Sequence, residues 1–298
     1  MRGLVRWLLA RRFRLIVLAG VLAPVPVIGC ISTALMTLET LHRGPQRGLA
    51  SAVAALIVCF PLAWLWGADP GGFLAVSGTL LGAGTMLGAL LRRVGSLSRA
   101  YQGVGLICAI GALLAALLWP EPGPWLTGLL DQLANALGSG DATDQQVRAR
   151  VEELGRFFVG LMVAGVFVQL MAALLLGSWW AAQMQPESQF GPQFRRLRLG
   201  RLVGIAATLL MASSLVADGP MVRNLFPLVL CAFWFQGIAV VHAWAWAKRW
   251  RAGFLAPMYV LLVPPFTAVT VLLLASVGLV DNWIELRAPL REQIQRRN

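Results

Sequence analysis

Long unbroken apolar runs constrain this chain more than any motif does. They occupy Leu15–Leu38 and residues 48–66, 73–91, 103–119, 157–180, 202–217, 225–247 and 254–280. A helix rises 1.5 Å per residue and needs about 20 residues to cross the hydrocarbon of a bilayer, so most of these blocks suffice. The block from Leu202 to Ala217 is the weakest. Composition agrees: 58% of the residues are hydrophobic and 13% charged, against about 25% charged in a soluble domain. The pattern predicts an all-α, polytopic transmembrane helical bundle of about eight spans. Residues 1–298 form a single integral membrane domain, with a basic N-terminal segment at 1–14, an extramembrane or interfacial connection at 120–156 and a polar C-terminal tail at 281–298.

The connection at 120–156 carries the one soluble-looking pattern. Trp125, Leu126, Leu129, Leu130, Leu133 and Leu137 keep helical spacing, with Asp131, Gln132 and Asn135 on the other face. That predicts a short amphipathic helical segment lying at the interface between spans four and five. Beyond Gly138–Gly140, Thr143 with Gln146 resembles a capping box that opens a polar helix.

A formal charge of +12 would suggest nucleic acid in a soluble protein. Here the basic residues fall in short segments between apolar blocks, which suits anionic lipid headgroups and excludes nucleic acid as the expected partner. Only Lys248 among the 25 basic residues is lysine. That bias is expected of a GC-rich bacterial genome and places the protein in a bacterial cytoplasmic (inner) membrane. Cys30, Cys59, Cys108 and Cys231 lie within apolar blocks, without metal-ligand spacing, and read as small buried residues.

Orientation is unresolved with eight simple spans, because the loops of one face balance the termini plus the loops of the other. The conflict disappears if the first block, broken by Pro24 and Pro26, and the last, broken by Pro264 and Pro265, are re-entrant or kinked and do not switch sides. All but four basic residues then share one face. Val27-Ile28-Gly29-Cys30 also resembles a lipoprotein cleavage box, but two prolines in the run and a polytopic remainder argue against a signal sequence.

No Asp, Glu, Lys or Arg lies near the middle of a block, which disfavours an ion-coupled pump. Glu39 and Arg223, at block edges, read as interfacial anchors. The polar residues that do enter blocks are Gln169, Gln236 and His242. With Trp234 they are the candidate ligand-binding residues, although helix-to-helix hydrogen bonding is the commoner use of such groups. Trp244, Trp246 and Trp250 suit an aromatic belt. Gly78 with Gly82, and Gly84 with Gly88, have the small-x-x-x-small spacing of close helix packing. An intramembrane serine protease has only the sketch Ser77-Gly78 with His242, since His42 lies in a loop. The chain is expected to be no enzyme, with no catalytic residues, no metal site and no cofactor.

Three segments carry a resemblance: Trp234-Phe235-Gln236-Gly237-Ile238-Ala239, Gly278-Leu279-Val280-Asp281-Asn282-Trp283-Ile284-Glu285-Leu286-Arg287, and Phe190–Leu199 (FGPQFRRLRL). The chain resembles the YybS-like family of bacterial membrane proteins, domain of unknown function 2232. That resemblance implies a distant similarity to the substrate-binding membrane subunits of energy-coupling-factor vitamin transporters, which usually have six spans and work with a coupling protein and ATPases. Two functions are therefore expected. One is a small-solute-binding or transport subunit working with other membrane proteins or a separate ATPase module. The alternative is a non-transporting scaffold or assembly protein that uses the glycine face of the third block and the segment Trp125–Leu137.

Overall fold

A computed structural model describes residues 2–25, 28–67, 69–118, 155–184, 189–216 and 219–290, with single positions at 128, 132, 149 and 153. The described elements are helical throughout: α1 (Arg2–Ala10), α2 (Arg12–Leu22), α3 (Gly29–Arg43), α4 (Pro45–Leu65), α5 (Pro70–Val94), α6 (Leu97–Leu118), α7 (Phe158–Ala182), α8 (Phe190–Arg195), α9 (Arg201–Ser213), α10 (Pro220–Ala247), a 3-10 turn (Ala252–Leu255), α11 (Ala256–Val260) and α12 (Thr267–Ile284). Among them α4, α5, α6, α7, α10 and α12 are long and apolar enough to cross a membrane. The chain is thus a multi-pass membrane protein. The predicted amphipathic helix at Trp125–Leu137, the polar helix after it and Pro26 lie outside the described residues.

Among the described residues six helices meet that requirement, so the expected count of about eight spans is not confirmed. Over the described part of the Leu202–Ala217 block the helix is α9, 13 residues and about 20 Å long, extended by a turn at 214–216. The first and last blocks each divide into two legs.

Residues 1–104 and 168–197 form one compact unit. In it α2 and α3 make an antiparallel hairpin whose turn contains Pro24, a residue that cannot donate to a helical ladder. The Ser32 hydroxyl donates to the Ala19 carbonyl at 2.7 Å. At the open end Arg43 donates to the Leu9 carbonyl at 2.7 Å and Arg12 to the Arg47 carbonyl at 2.9 Å. The chain therefore leaves and regains the same end of the unit. Helix α3 is the unit's centre, buried without interruption from Ser32 to Thr40. Gly84 and Gly88 of α5 press on it: a Cβ at Gly88 would lie 2.6 Å from Thr40 Cβ, and one at Gly84 2.7 Å from Met36 Cβ. Gly177 of α7 closes on it too, where an added Cβ would lie 2.7 Å from the Ala34 carbonyl oxygen. The other predicted packing pair differs, since Gly78 makes only ordinary contact with Leu56 and Gly82 faces open space. Asp69 starts α5 by accepting from the Gly72 amide at 2.6 Å.

Residues 105–167 and 198–298 form the second unit. Its axis is the pair α10 and α12, which run in the same direction: Phe226 and Val229 line one cleft with Leu272 and Ala275, Gln236 meets Asp281, and Leu290 packs on Ala243 and Ala247. Residues 248–266 are the return leg between them, pinned where Thr270 donates to the Leu261 carbonyl at 2.9 Å. The last apolar block is consequently a second returning hairpin, broken around Pro264 and Pro265. At the crossing of α10 and α12, a Cβ on Gly237 would strike the Leu274 carbonyl and one on Gly278 the Phe233 carbonyl. Both obstacles are backbone and cannot swing aside.

Gly237→Ala is expected to cost about 2–3 kcal/mol or more, read as a drop in melting temperature of the detergent-purified protein. Gly82→Ala, on the open face of α5, is expected to stay within about 0.5 kcal/mol.

Candidate functional site

Each unit draws polar side chains into its interior, and each cluster centres on a carboxylate. In the second unit the carboxylate is Asp281, on the last turns of α12 and 1% exposed. Arg287 grips it with two hydrogen bonds, Nε to Oδ1 at 3.1 Å and Nη2 to Oδ2 at 2.6 Å. This fork geometry gives arginine its strength with carboxylates. The Gln236 amide of α10 donates from Nε2 to Asp281 Oδ2 at 3.1 Å and to the Gly278 carbonyl at 2.9 Å, while its Oε1 accepts from the Leu199 amide at 2.9 Å. One fully buried side chain thus joins α10, α12 and the connection before α9. Asn282 continues the lock by donating to the Gly200 carbonyl at 2.8 Å. Gly204 leaves room for it, because a Cβ there would strike the Asn282 amide. Arg198 completes the layer with bonds to Glu285 Oε1 and the Asn282 carbonyl, both at 3.0 Å.

The first unit's carboxylate is Glu39, fully buried on α3. Its Oε1 accepts from Ser51 at 3.1 Å and from Arg43 at 3.3 Å. Arg12 donates to Ser51 at 2.9 Å and stands 3.7 Å from the carboxylate. Glu39 Oε2 and the neighbouring Thr40 hydroxyl have no protein partner. Glu39 is therefore the interior pivot of two arginines on one edge of the unit.

The predicted ligand-binding residues are distributed over both units. Gln169 lies half-buried on the part of α7 that belongs to the first unit, and Trp234, Gln236 and His242 lie on α10 in the second. His242 Nε2 and the Tyr259 hydroxyl are 2.7 Å apart, so this pair ties α10 to the return leg. The Trp234 indole N–H is buried without a partner, its ring 4.8 Å from that of Phe235. Ser77 of the protease sketch is completely buried on α5. A cleft of about 30 Å³ opens between α9, α10 and α12, lined by residues such as Met211, Phe226, Phe233 and Leu272, with Ser276 its one polar residue. It contains none of the four candidates. Among the described residues no group of three or more His, Cys, Asp or Glu is placed to hold a metal ion.

Sequence reasoning missed Asp281, Arg287, Asn282, Ser51 and the Glu39 pivot. The available signal was Asp281 with Arg287 six positions on. No protein-family model, no curated protein and no solved structure matches the chain.

Removing one partner of a buried pair leaves the other charge uncompensated, so Asp281→Ala is expected to cost about 3–5 kcal/mol. The pair substitution Asp281→Leu with Arg287→Met is expected to cost less than the two single changes added together. A double-mutant cycle by chemical denaturation in detergent measures the difference; strict additivity would refute the coupling.

Proposed function

We propose that this chain is a multi-pass bacterial inner-membrane protein acting as a scaffold or assembly subunit for other membrane proteins, without a catalytic step of its own. The observation that carries the reading is Gln236. Both ends of its amide are used to join α10, α12 and the chain before α9, so a solute that bound there would have to break the lock of the unit. The His242–Tyr259 bond and the apolar cleft support the same reading, because solute sites combine an apolar wall with convergent polar groups that are free to bind. A solute-binding subunit partnered by an ATPase module is the second reading. It is favoured by the unpaired Trp234 indole and by the resemblance to YybS-like proteins.

In this reading six stretches cross the bilayer: α4, α5, α6, α7, α9 with its following turn, and α10. The α2–α3 hairpin and the one ending in α12 enter and return. The arginine-rich end of each unit faces the cytoplasm, as the positive-inside rule requires.

Single cysteines introduced into a chain lacking Cys30, Cys59, Cys108 and Cys231 test the topology. Arg11→Cys and Arg47→Cys are expected to react with an impermeant maleimide from one side and Trp66→Cys from the other. Reaction of Arg11→Cys and Arg47→Cys from opposite sides would show that the first block crosses. For function, purification from the native bacterium in mild detergent is followed by mass spectrometry of proteins and small molecules. Stoichiometric membrane-protein partners without a retained solute support the scaffold; a solute lost on Trp234→Ala overturns it.

A further inference from the structure

The N-terminal helix α1 is too short and too charged to cross a membrane, yet it is firmly attached to the first unit. Val5, Leu8 and Leu9 are buried in that unit's core beside Leu15, Leu35 and Leu38. The rest of the helix and the next residues present two kinds of exposed group together, arginines at 2, 6 and 11 and apolar Leu4, Trp7 and Phe13. Arg14 lies over the Trp7 ring at 4.4 Å and donates to the Trp7 carbonyl at 3.0 Å, fixing that indole in its exposed position.

Charge at this end is one-sided. Arg12 and Arg43 are turned inward to Glu39, the only acidic residue described there, and Arg92 donates to the Leu41 carbonyl. The exposed guanidiniums of Arg2, Arg6, Arg11 and Arg47 have no carboxylate of the described chain to neutralise them. A soluble acidic partner would match the charge but leave Leu4, Trp7 and Phe13 in water. A headgroup layer accepts both: phosphates take the guanidiniums and the glycerol–acyl boundary takes the apolar groups. Trp is at home at that depth.

We propose that α1 is an interfacial anchor that selects acidic phospholipid headgroups, with Arg2, Arg6 and Arg11 holding the phosphates and Leu4, Trp7 and Phe13 set into the glycerol–acyl boundary. The inference is independent of whether the protein is a scaffold or a carrier. It assigns the first unit's basic end a lipid preference beyond general membrane residence. Arginine near an anionic surface contributes about fivefold in binding per residue at low salt, and the contribution shrinks as salt screens it.

The test uses the full chain reconstituted in nanodiscs of phosphatidylcholine mixed with phosphatidylglycerol, followed by native mass spectrometry of the lipids that stay bound. Wild type is expected to enrich phosphatidylglycerol roughly tenfold or more over its share, falling with added salt. The triple variant Arg2→Gln, Arg6→Gln, Arg11→Gln is expected to lose most of that enrichment. Its Arg→Lys counterpart keeps the charges and is expected to retain most of it. Trp7→Ala is expected to weaken retention of either lipid. Size-exclusion profiles and melting curves in phosphatidylcholine alone confirm that each variant is folded. Equal phosphatidylglycerol enrichment in wild type and the folded Gln variant would overturn the proposal. So would enrichment insensitive to salt, or occupation of α1 by a co-purifying acidic protein in place of lipid.

Discussion

Hydrocarbon offers no hydrogen bonds, so any turn or charged group inside an apolar block has to be satisfied by the protein itself. That constraint governs both units. The α2–α3 turn is possible because α3 is enclosed by α2, α4, α5 and α7, which leaves its threonines and Glu39 shielded from lipid. Small residues make the enclosure tight: Gly84 and Gly88 of α5 and Gly177 of α7 let two backbones approach α3 where any Cβ would intrude. The hydroxyl of Thr37 then reaches the Thr33 carbonyl at 2.9 Å and the Gly84 carbonyl at 3.1 Å, the second bond crossing between helices. Packing and polar satisfaction are one device here, since the glycine that admits the neighbour also exposes the acceptor.

The second unit solves the same problem with side-chain amides. Two parallel helices require a return leg, and that leg exposes backbone groups wherever proline interrupts the ladder. Thr267 and Thr270 cover part of the deficit by donating to the Leu262 and Leu261 carbonyls. The larger contribution comes from the Gln236–Asp281–Arg287 layer, which fixes the end of α12 against α10 and the chain at Leu199. Buried ion pairs offset a large desolvation cost only when the remaining lone pairs are also bonded. Asp281 meets that condition, with Arg287 on both oxygens and Gln236 on one. Glu39 meets it on Oε1 alone, which makes the first unit's cluster the less complete of the two.

Much of this was legible in the sequence, though unevenly. Apolar blocks gave the helical membrane class, and the proline pairs marked where the first and last blocks break. Hydropathy could not say that these blocks double back, because a hairpin and a kinked span have the same composition; it takes the pairing of Ser32 with Ala19 in the first block and of Thr270 with Leu261 in the last to show it. Small-residue spacing identified α5 as a packing helix but not its working face, since Gly78 with Gly82 and Gly84 with Gly88 have equal spacing and only the latter pair meets α3. Gln236 stood out as a polar residue in an apolar run, and the structure gives it the commoner use of such a residue. Glu39 and Asp281 were placed at the margins because each sits near the end of its run. Glu39 finds Arg12 and Ser51 across long stretches of chain, and no local pattern announces such pairings.

The positions of the arginines also follow from this architecture. If each interrupted block were a full crossing, the basic residues would be shared between the two faces and would favour neither. A returning α2–α3 hairpin puts Arg11, Arg12, Arg43 and Arg47 at one end, and a returning last hairpin does the same for Lys248, Arg249, Arg251 and Arg287 in the second unit. Charge bias and buried polar clusters therefore depend on the same feature. The Glu39 and Asp281 clusters anchor the hairpin ends, and anchored ends keep the cations of each unit together. Loss of either cluster would free a leg of its hairpin and, with it, the gathering of cations at one end of the unit.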